Sequence, residues 1–163
     1  RRALSRLQQE KMIRRLAPGL YEYPRFHEQL GELPPQVDQI AKAIAEKNGL
    51  KIIPSGAYAA NLVGLSEQVP GRIVFLSNAQ TKKLKIGKLE IIFREASEKS
   101  LKATGKVGLV INALRNIGKK HVDDAIKSHV HNFLKDVDEA EIKKNIKYAP
   151  QWTRNVILET MEK

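Results

Sequence analysis

The sequence predicts an α+β fold, and three features predict it. Apolar residues recur at three- and four-residue spacing towards both ends, β-rich runs fill the middle, and Gly or Pro breakers stand between these segments. Residues 1–10 form an amphipathic helix with Leu4 and Leu7 on one face. Residues 12–16 read as a short strand, Ala17-Pro18-Gly19 as a turn and residues 20–23 as the return strand, with Pro and Gly at the two central positions of a type II turn. A connector holding Gly31 and Pro34-Pro35 follows, and the proline pair can continue neither a helix nor a central strand. These breaks divide the chain into a small module at 1–28, a linker at 29–35 and a larger α+β domain at 36–163.

The larger domain opens with Val37, Ile40, Ala41 and Ile44 at helical spacing, stopped by Asn48-Gly49. Residues 50–53 read as a buried strand. Ser55 stands where an N-cap would open a second helix carrying Ala59, Leu62 and Val63, closed by Gly64. Runs at 72–77, 82–86 and 89–94 are predicted strands, and Gly87-Lys88 is a two-residue hairpin signal, so the three are expected to form a small antiparallel meander. The helical period returns after Gly105 with Val107, Val110, Leu114 and Ile117, ending at Gly118, and continues through Val122, Ile126, Val130, Phe133 and Leu134. Ile142 and Ile146 precede a break at Pro150, after which Trp152, Val156 and Ile157 complete a C-terminal helical bundle.

Composition narrows the chemistry. The 163 residues carry 29 Lys+Arg against 18 Asp+Glu, a net charge of +11, and no cysteine. Disulfides, Cys-based zinc sites and thiol catalysis are thereby excluded. Recurrent apolar residues exclude a disordered chain, and no apolar stretch approaches the roughly 20 residues that cross a bilayer, so the reading is a soluble protein with no membrane-spanning segment. The excess of positive charge points to a polyanion, nucleic acid first and an anionic membrane surface second. Part of it is concentrated: residues 1–25 hold Arg1, Arg2, Arg6, Lys11, Arg14, Arg15 and Arg25 against Glu10 and Glu22, a net +5. The chain opens on Arg1 within what reads as the middle of a helix, and more chain is expected upstream.

On that first helix, Arg2, Ser5, Arg6 and Gln9 share the face opposite Leu4 and Leu7. Arg and Gln present paired donors or acceptors to base edges in the major groove, and Ser reaches base or phosphate. A helix followed directly by a small basic hairpin is the second half of a winged helix-turn-helix. Arg2, Ser5, Arg6 and Gln9 would then enter the groove, while Lys11, Arg14 and Arg15 hold phosphates. The bland alternative is a solvated charged edge.

The string Ile13-Arg14-Arg15-Leu16-Ala17-Pro18-Gly19-Leu20-Tyr21-Glu22-Tyr23-Pro24-Arg25-Phe26-His27, followed by Leu30-Gly31-Glu32-Leu33, resembles the winged-helix end of AbiE-type antitoxins, the transcriptional regulators of type IV toxin-antitoxin systems. Pro54-Ser55-Gly56-Ala57-Tyr58-Ala59-Ala60-Asn61-Leu62-Val63-Gly64-Leu65-Ser66, then Gln68-Val69-Pro70, resembles the signature of that family's second domain. The family carries further helices before the reading helix, and this sequence opens without them. The resemblance implies a cytoplasmic protein, not an enzyme and without cofactor, that represses its own operon by binding promoter DNA. It also implies that the protein counteracts a nucleotidyltransferase toxin without a stable complex. Pro54, Ser55, Gly56, Asn61, Gly64, Gln68 and Pro70 are the motif positions carried over to the antitoxin domain.

Other candidates are weaker. Pro54-Ser55-Gly56 opens a helix whose free N–H groups could hold a phosphate, or Ser55 simply caps it. No phosphate loop and no dinucleotide fingerprint occurs. Asp136 and Asp138, two apart after a helical run, read as a surface pair, not a metal site. His129 and His131 are two apart on a predicted helix, whereas metal-binding histidines on one helical face are three or four apart. Lys83 and Lys85, with Lys82 and Lys88 beside them, make a second basic patch, facing away from Leu84 and Ile86: a polyanion surface, or a strand edge blunted against aggregation. A general basic RNA-binding protein shares the charge and is the alternative function. An enzyme acting on nucleic acid would need an acid, base or metal set that does not converge here.

Overall fold

The computed structural model describes residues 2–162 and is α+β, with its helices gathered towards the C-terminus. Arg1, one of the basic residues counted above, lies outside the described residues. Helix α1 (Arg2–Gln9) is followed by hairpin strands β1 (Arg14–Ala17) and β2 (Leu20–Glu22), joined through Pro18-Gly19. Gly19 has φ 74, the positive value that the third position of a type II turn requires. The connector is more structured than its prolines suggest. Strand β3 (Phe26–His27), which lies just before it, pairs antiparallel with β4 (Gly31–Glu32) within it, and both are too short to carry a periodic signal.

Helix α2 (Val37–Asn48) ends at Gly49, whose left-handed conformation lets the Leu50 N–H reach the Ala45 carbonyl at 2.8 Å. Strand β5 (Ile52–Ser55) begins two residues later than its apolar run and leads into α3 (Gly56–Val63), closed at Gly64 in the same way. Strands β6 (Arg72–Ser77), β7 (Lys82–Ile86) and β8 (Leu89–Glu95) complete a four-stranded sheet of order β5-β6-β8-β7.

That order corrects the antiparallel meander. The β7–β8 hairpin forms as its Gly87-Lys88 signal predicts, but β8 then inserts beside β6 and runs parallel to it, pairing Arg72 with Glu90 and Phe75 with Phe93. The reason is burial. Ile91, Ile92 and Phe93 are all buried and need a neighbour on each side, whereas β7 exposes Lys82, Lys83 and Lys85 and tolerates an edge. The sheet is therefore mixed.

One face of the sheet, with Ile73, Phe75, Ile91 and Phe93, packs on Ile40 and Ala41 of α2 and on Tyr58. Phe75 and Phe93 stack at 5.9 Å between ring centroids, and Tyr58 meets Phe75 edge-on at 5.7 Å. Leu16 and Leu20 of the β1–β2 hairpin pack against this same cluster. On the other face, Ile53 and Leu76 meet Leu101 of the short helix α4 (Glu98–Lys102).

The helical core centres on α5 (Gly105–Ile117), which buries Val107, Val110, Ile111, Ala113 and Leu114. Helices α6 (Asp124–Leu134), α7 (Glu139–Ile146) and α8 (Gln151–Met161) pack around it, each where the apolar spacing predicts one. Gly108 marks a close approach: a Cβ there would lie 2.3 Å from the Ala103 carbonyl oxygen, so only glycine lets α5 pass the end of α4.

Candidate nucleic-acid interface

Helix α1 ends in a tight closure. Met12 N–H donates to the Leu7 carbonyl at 3.0 Å and Lys11 N–H to the Gln8 carbonyl at 3.1 Å, with Lys11 itself at φ 56. This is the helix-ending pattern that glycine usually serves, and here a lysine occupies the left-handed position. It turns the chain at once from α1 into β1, so helix and hairpin are adjacent as the sequence predicts.

Arg2, Ser5, Arg6 and Gln9 are all exposed on α1. Arg6 Nε bonds the Glu10 carboxylate at 2.9 Å, an exposed pair one helical turn apart. Such a pair contributes a few tenths of a kcal/mol and yields readily to a phosphate. The opposite face is a correction. Leu4 is 42 % exposed, Leu7 is half-buried and α1 buries no residue fully, so the Leu4–Leu7 side is only partly packed.

The hairpin separates two arginines that sequence alone treats alike. Arg15 is exposed, with neither ion pair nor hydrogen bond among the described residues. Arg14 is held inward. Its Nε donates to Glu22 at 2.7 Å, its terminal nitrogens also engage Glu22 and Glu32, and Nη2 donates to the Leu33 carbonyl at 3.1 Å. The guanidinium thus clamps β1 to β2 and to the end of β4. With its charge matched by two carboxylates, Arg14 clamps the hairpin and is not the free cation that the expected phosphate contact needs. Lys11 and Arg25 are exposed as well.

The string of residues 54–70 resolves into structural roles. The Pro54 carbonyl, on edge strand β5, accepts from Asn112 Nδ2 at 3.0 Å, pinning the β5–α3 corner to α5. Ser55 occupies the N-cap position, yet its hydroxyl makes no capping bond, so the expected side-chain cap is absent. Gly56 continues into α3. Asn61 Nδ2 donates to the Ser66 carbonyl at 3.1 Å and fixes the loop beyond Gly64. Gly64 lies under His129, where a Cβ would come within 2.7 Å of Nε2. That Nε2–H donates to the Val63 carbonyl at 2.9 Å. Gln68 is exposed and Pro70 half-buried, in the loop to β6.

His131 likewise donates through Nδ1 to the Thr160 carbonyl at 2.6 Å, so both histidines tie helix ends together. Asp123 caps α6 by accepting from the Ile126 N–H at 2.8 Å. Lys83 and Lys85 are exposed on β7, with Leu84 and Ile86 half-buried opposite, in the predicted alternation. Lys85 sits across from Glu90, which already binds Arg72 Nε at 2.6 Å.

Comparison with known proteins adds one finding. A family described as "Family of unknown function (DUF6088)" matches residues 1–142, from α1 into α7. No curated protein matches the chain.

Proposed function

We propose, taking as premise that this chain belongs to DUF6088, a family of unknown function, that it is an antitoxin and transcriptional autorepressor of a type IV toxin-antitoxin operon. Its α1–β1–β2 unit binds promoter DNA, and the domain beyond the connector counteracts a nucleotidyltransferase toxin without a stable complex. The carrying observation is the exposed row Arg2, Ser5, Arg6 and Gln9 on α1, followed directly by exposed Lys11 at the turn that ends the helix and exposed Arg15 on the hairpin. Base-reading side chains on a helix beside phosphate-contacting cations on a hairpin are the division of labour that a winged helix uses. The resemblance of residues 13–33 and 54–70 to AbiE-type antitoxins supports the same reading. Action on operon DNA implies a cytoplasmic, non-enzymatic protein.

A gel-shift titration of the chain on its own upstream region, against random DNA and RNA of equal length, tests this. Arg2→Ala and Gln9→Ala should each cost about 1 to 3 kcal/mol of discrimination while leaving random-DNA affinity nearly intact. Arg15→Ala should weaken all sequences alike and reduce the salt slope by about 1. Equal losses on specific and random DNA for the α1 variants would remove the base-reading role. Tighter binding of random RNA than of the upstream region would favour the second reading, a general basic RNA-binding protein, for which exposed Lys82, Lys83 and Lys85 speak.

A further inference from the structure

The face of the sheet turned away from α2 carries a basic cavity that none of the roles above uses. Residues paired across strands share a face, so the registers Ile53–Leu76–Arg94 and Ser55–Val74–Ile92–Lys83 put Arg94, Ser55 and Lys83 on one side. Helix α5 rises beside that side and contributes Asn112, Arg115 and Asn116. Together Ser55, Gly56, Arg94, Asn112, Arg115 and Asn116 line a cavity of about 370 Å³. Neither Arg94 nor Arg115 makes an ion pair or hydrogen bond among the described residues, and no carboxylate lines the cavity. Two unmatched guanidinium groups, 21 positions apart in sequence and brought to one hollow, are a built anion receptor: each offers a planar fork of donors that fits phosphate oxygens. Asn112 makes the wall rigid, being 6 % exposed and bonded to the Pro54 carbonyl.

A second cavity of about 210 Å³ shares Ser100, Asn112 and Arg115 as a common wall and adds Lys99 and Tyr148. Tyr148 is half-buried, with Lys102 and Lys147 ammonium groups 5.9 and 5.0 Å from its ring centroid. A guanidinium-lined hollow thus adjoins an aromatic one, and their combined volume falls in the range that takes a small organic ligand. We infer that this double cavity binds a phosphorylated nucleoside, its phosphates on Arg94 and Arg115 and its planar base towards Tyr148.

The test is calorimetric titration of the full chain at low salt with ATP, CTP, pyrophosphate, inorganic phosphate and a single-stranded oligonucleotide. Nucleoside triphosphates should bind more tightly than pyrophosphate. Arg94→Gln and Arg115→Gln should each weaken them at least tenfold. Tyr148→Leu should weaken the nucleotides while leaving pyrophosphate unchanged. Lys88→Gln, a cation removed from the sheet's far turn, should change nothing, and circular dichroism of the variants should match the parent because both arginines are exposed and unpaired. Promoter binding should be unaffected by all four substitutions, which separates this site from the α1 face. Binding of the oligonucleotide alone, an equal loss in Lys88→Gln, or no binding of any probe would overturn the inference.

Discussion

At the scale of single residues, two buried threonines on α8 make opposite predictions. Thr160 is 2 % exposed, and its hydroxyl donates to the Ile157 carbonyl at 2.7 Å. Thr153 is fully buried, and its hydroxyl meets no partner among the described residues. An unmatched buried hydroxyl loses its water without compensation, whereas a matched one keeps a hydrogen bond. Valine has nearly the shape of threonine and no hydroxyl. Thr153→Val should therefore raise unfolding stability by about 1 kcal/mol and Thr160→Val should lower it by about 1 kcal/mol, read from urea melts. A loss at both positions would mean that the Thr153 hydroxyl has a partner in solution. Arg14 and Arg15 make the same point about charge. Neighbours in sequence with identical chemistry, they differ because strand alternation sends one towards Glu22 and Glu32 and the other to solvent.

Among the elements, α2 and α3 are joined over the sheet by one titratable bond. Tyr58 Oη donates to Asp38 Oδ1 at 2.7 Å, and burial, reinforced by the hydrogen bond and charge of that carboxylate, holds the Tyr58 hydroxyl well above its usual pKa. The unfolded chain loses this proton near pH 10.0, while the folded protein keeps it, so above that pH the unfolded state binds fewer protons. Stability is then fully present below pH 10 and falls as pH rises beyond it. Tyr58→Phe should flatten that alkaline fall, measured by thermal melts between pH 8 and 11; an unchanged slope would place the titration elsewhere. How far the elements could be read depended on how local their signals are. Helices α2, α5, α6, α7 and α8 carry their own periodicity and their own stops, such as Asn48-Gly49 and Gly118, and needed no knowledge of the rest of the chain. The β7–β8 hairpin was legible for the same reason. The side on which β8 meets β6 was not, because that choice is made by burying Ile91, Ile92 and Phe93 between strands, a competition no short window contains. Helix α4 and the β3–β4 ladder are shorter than any repeat that would announce them.

Across the whole molecule, the N-terminal segment meets the rest of the chain through the hairpin, where Leu16 and Leu20 lie against the cluster of Ile40, Tyr58 and Phe93. A chain of residues 36–163 should keep its own core and fold, but with about 2 to 4 kcal/mol less stability for the loss of those two side chains from an apolar surface. Urea unfolding of the two lengths measures the difference, and equal midpoints would mean that the hairpin packs only loosely. The candidate sites divided along the same lines. The α1 face was legible because helical geometry alone gathers Arg2, Ser5, Arg6 and Gln9. The cavity of Arg94 and Arg115 was not, since it joins a strand to a helix through tertiary packing. The position of β8 in the sheet also governs the order in which the protein can be made. In the order of synthesis β6 follows its antiparallel partner β5, yet its other edge has no partner until Glu90 follows opposite Arg72, eighteen residues later. At about 5 to 20 residues per second this lasts about 1 to 4 seconds. During that interval the strand synthesised next is the lysine-rich β7, which ends up on the sheet's outer rim. Exposed Lys82, Lys83 and Lys85 thus lie between β6 and β8 in the order of synthesis, and like charge there opposes edge-to-edge pairing of neighbouring chains.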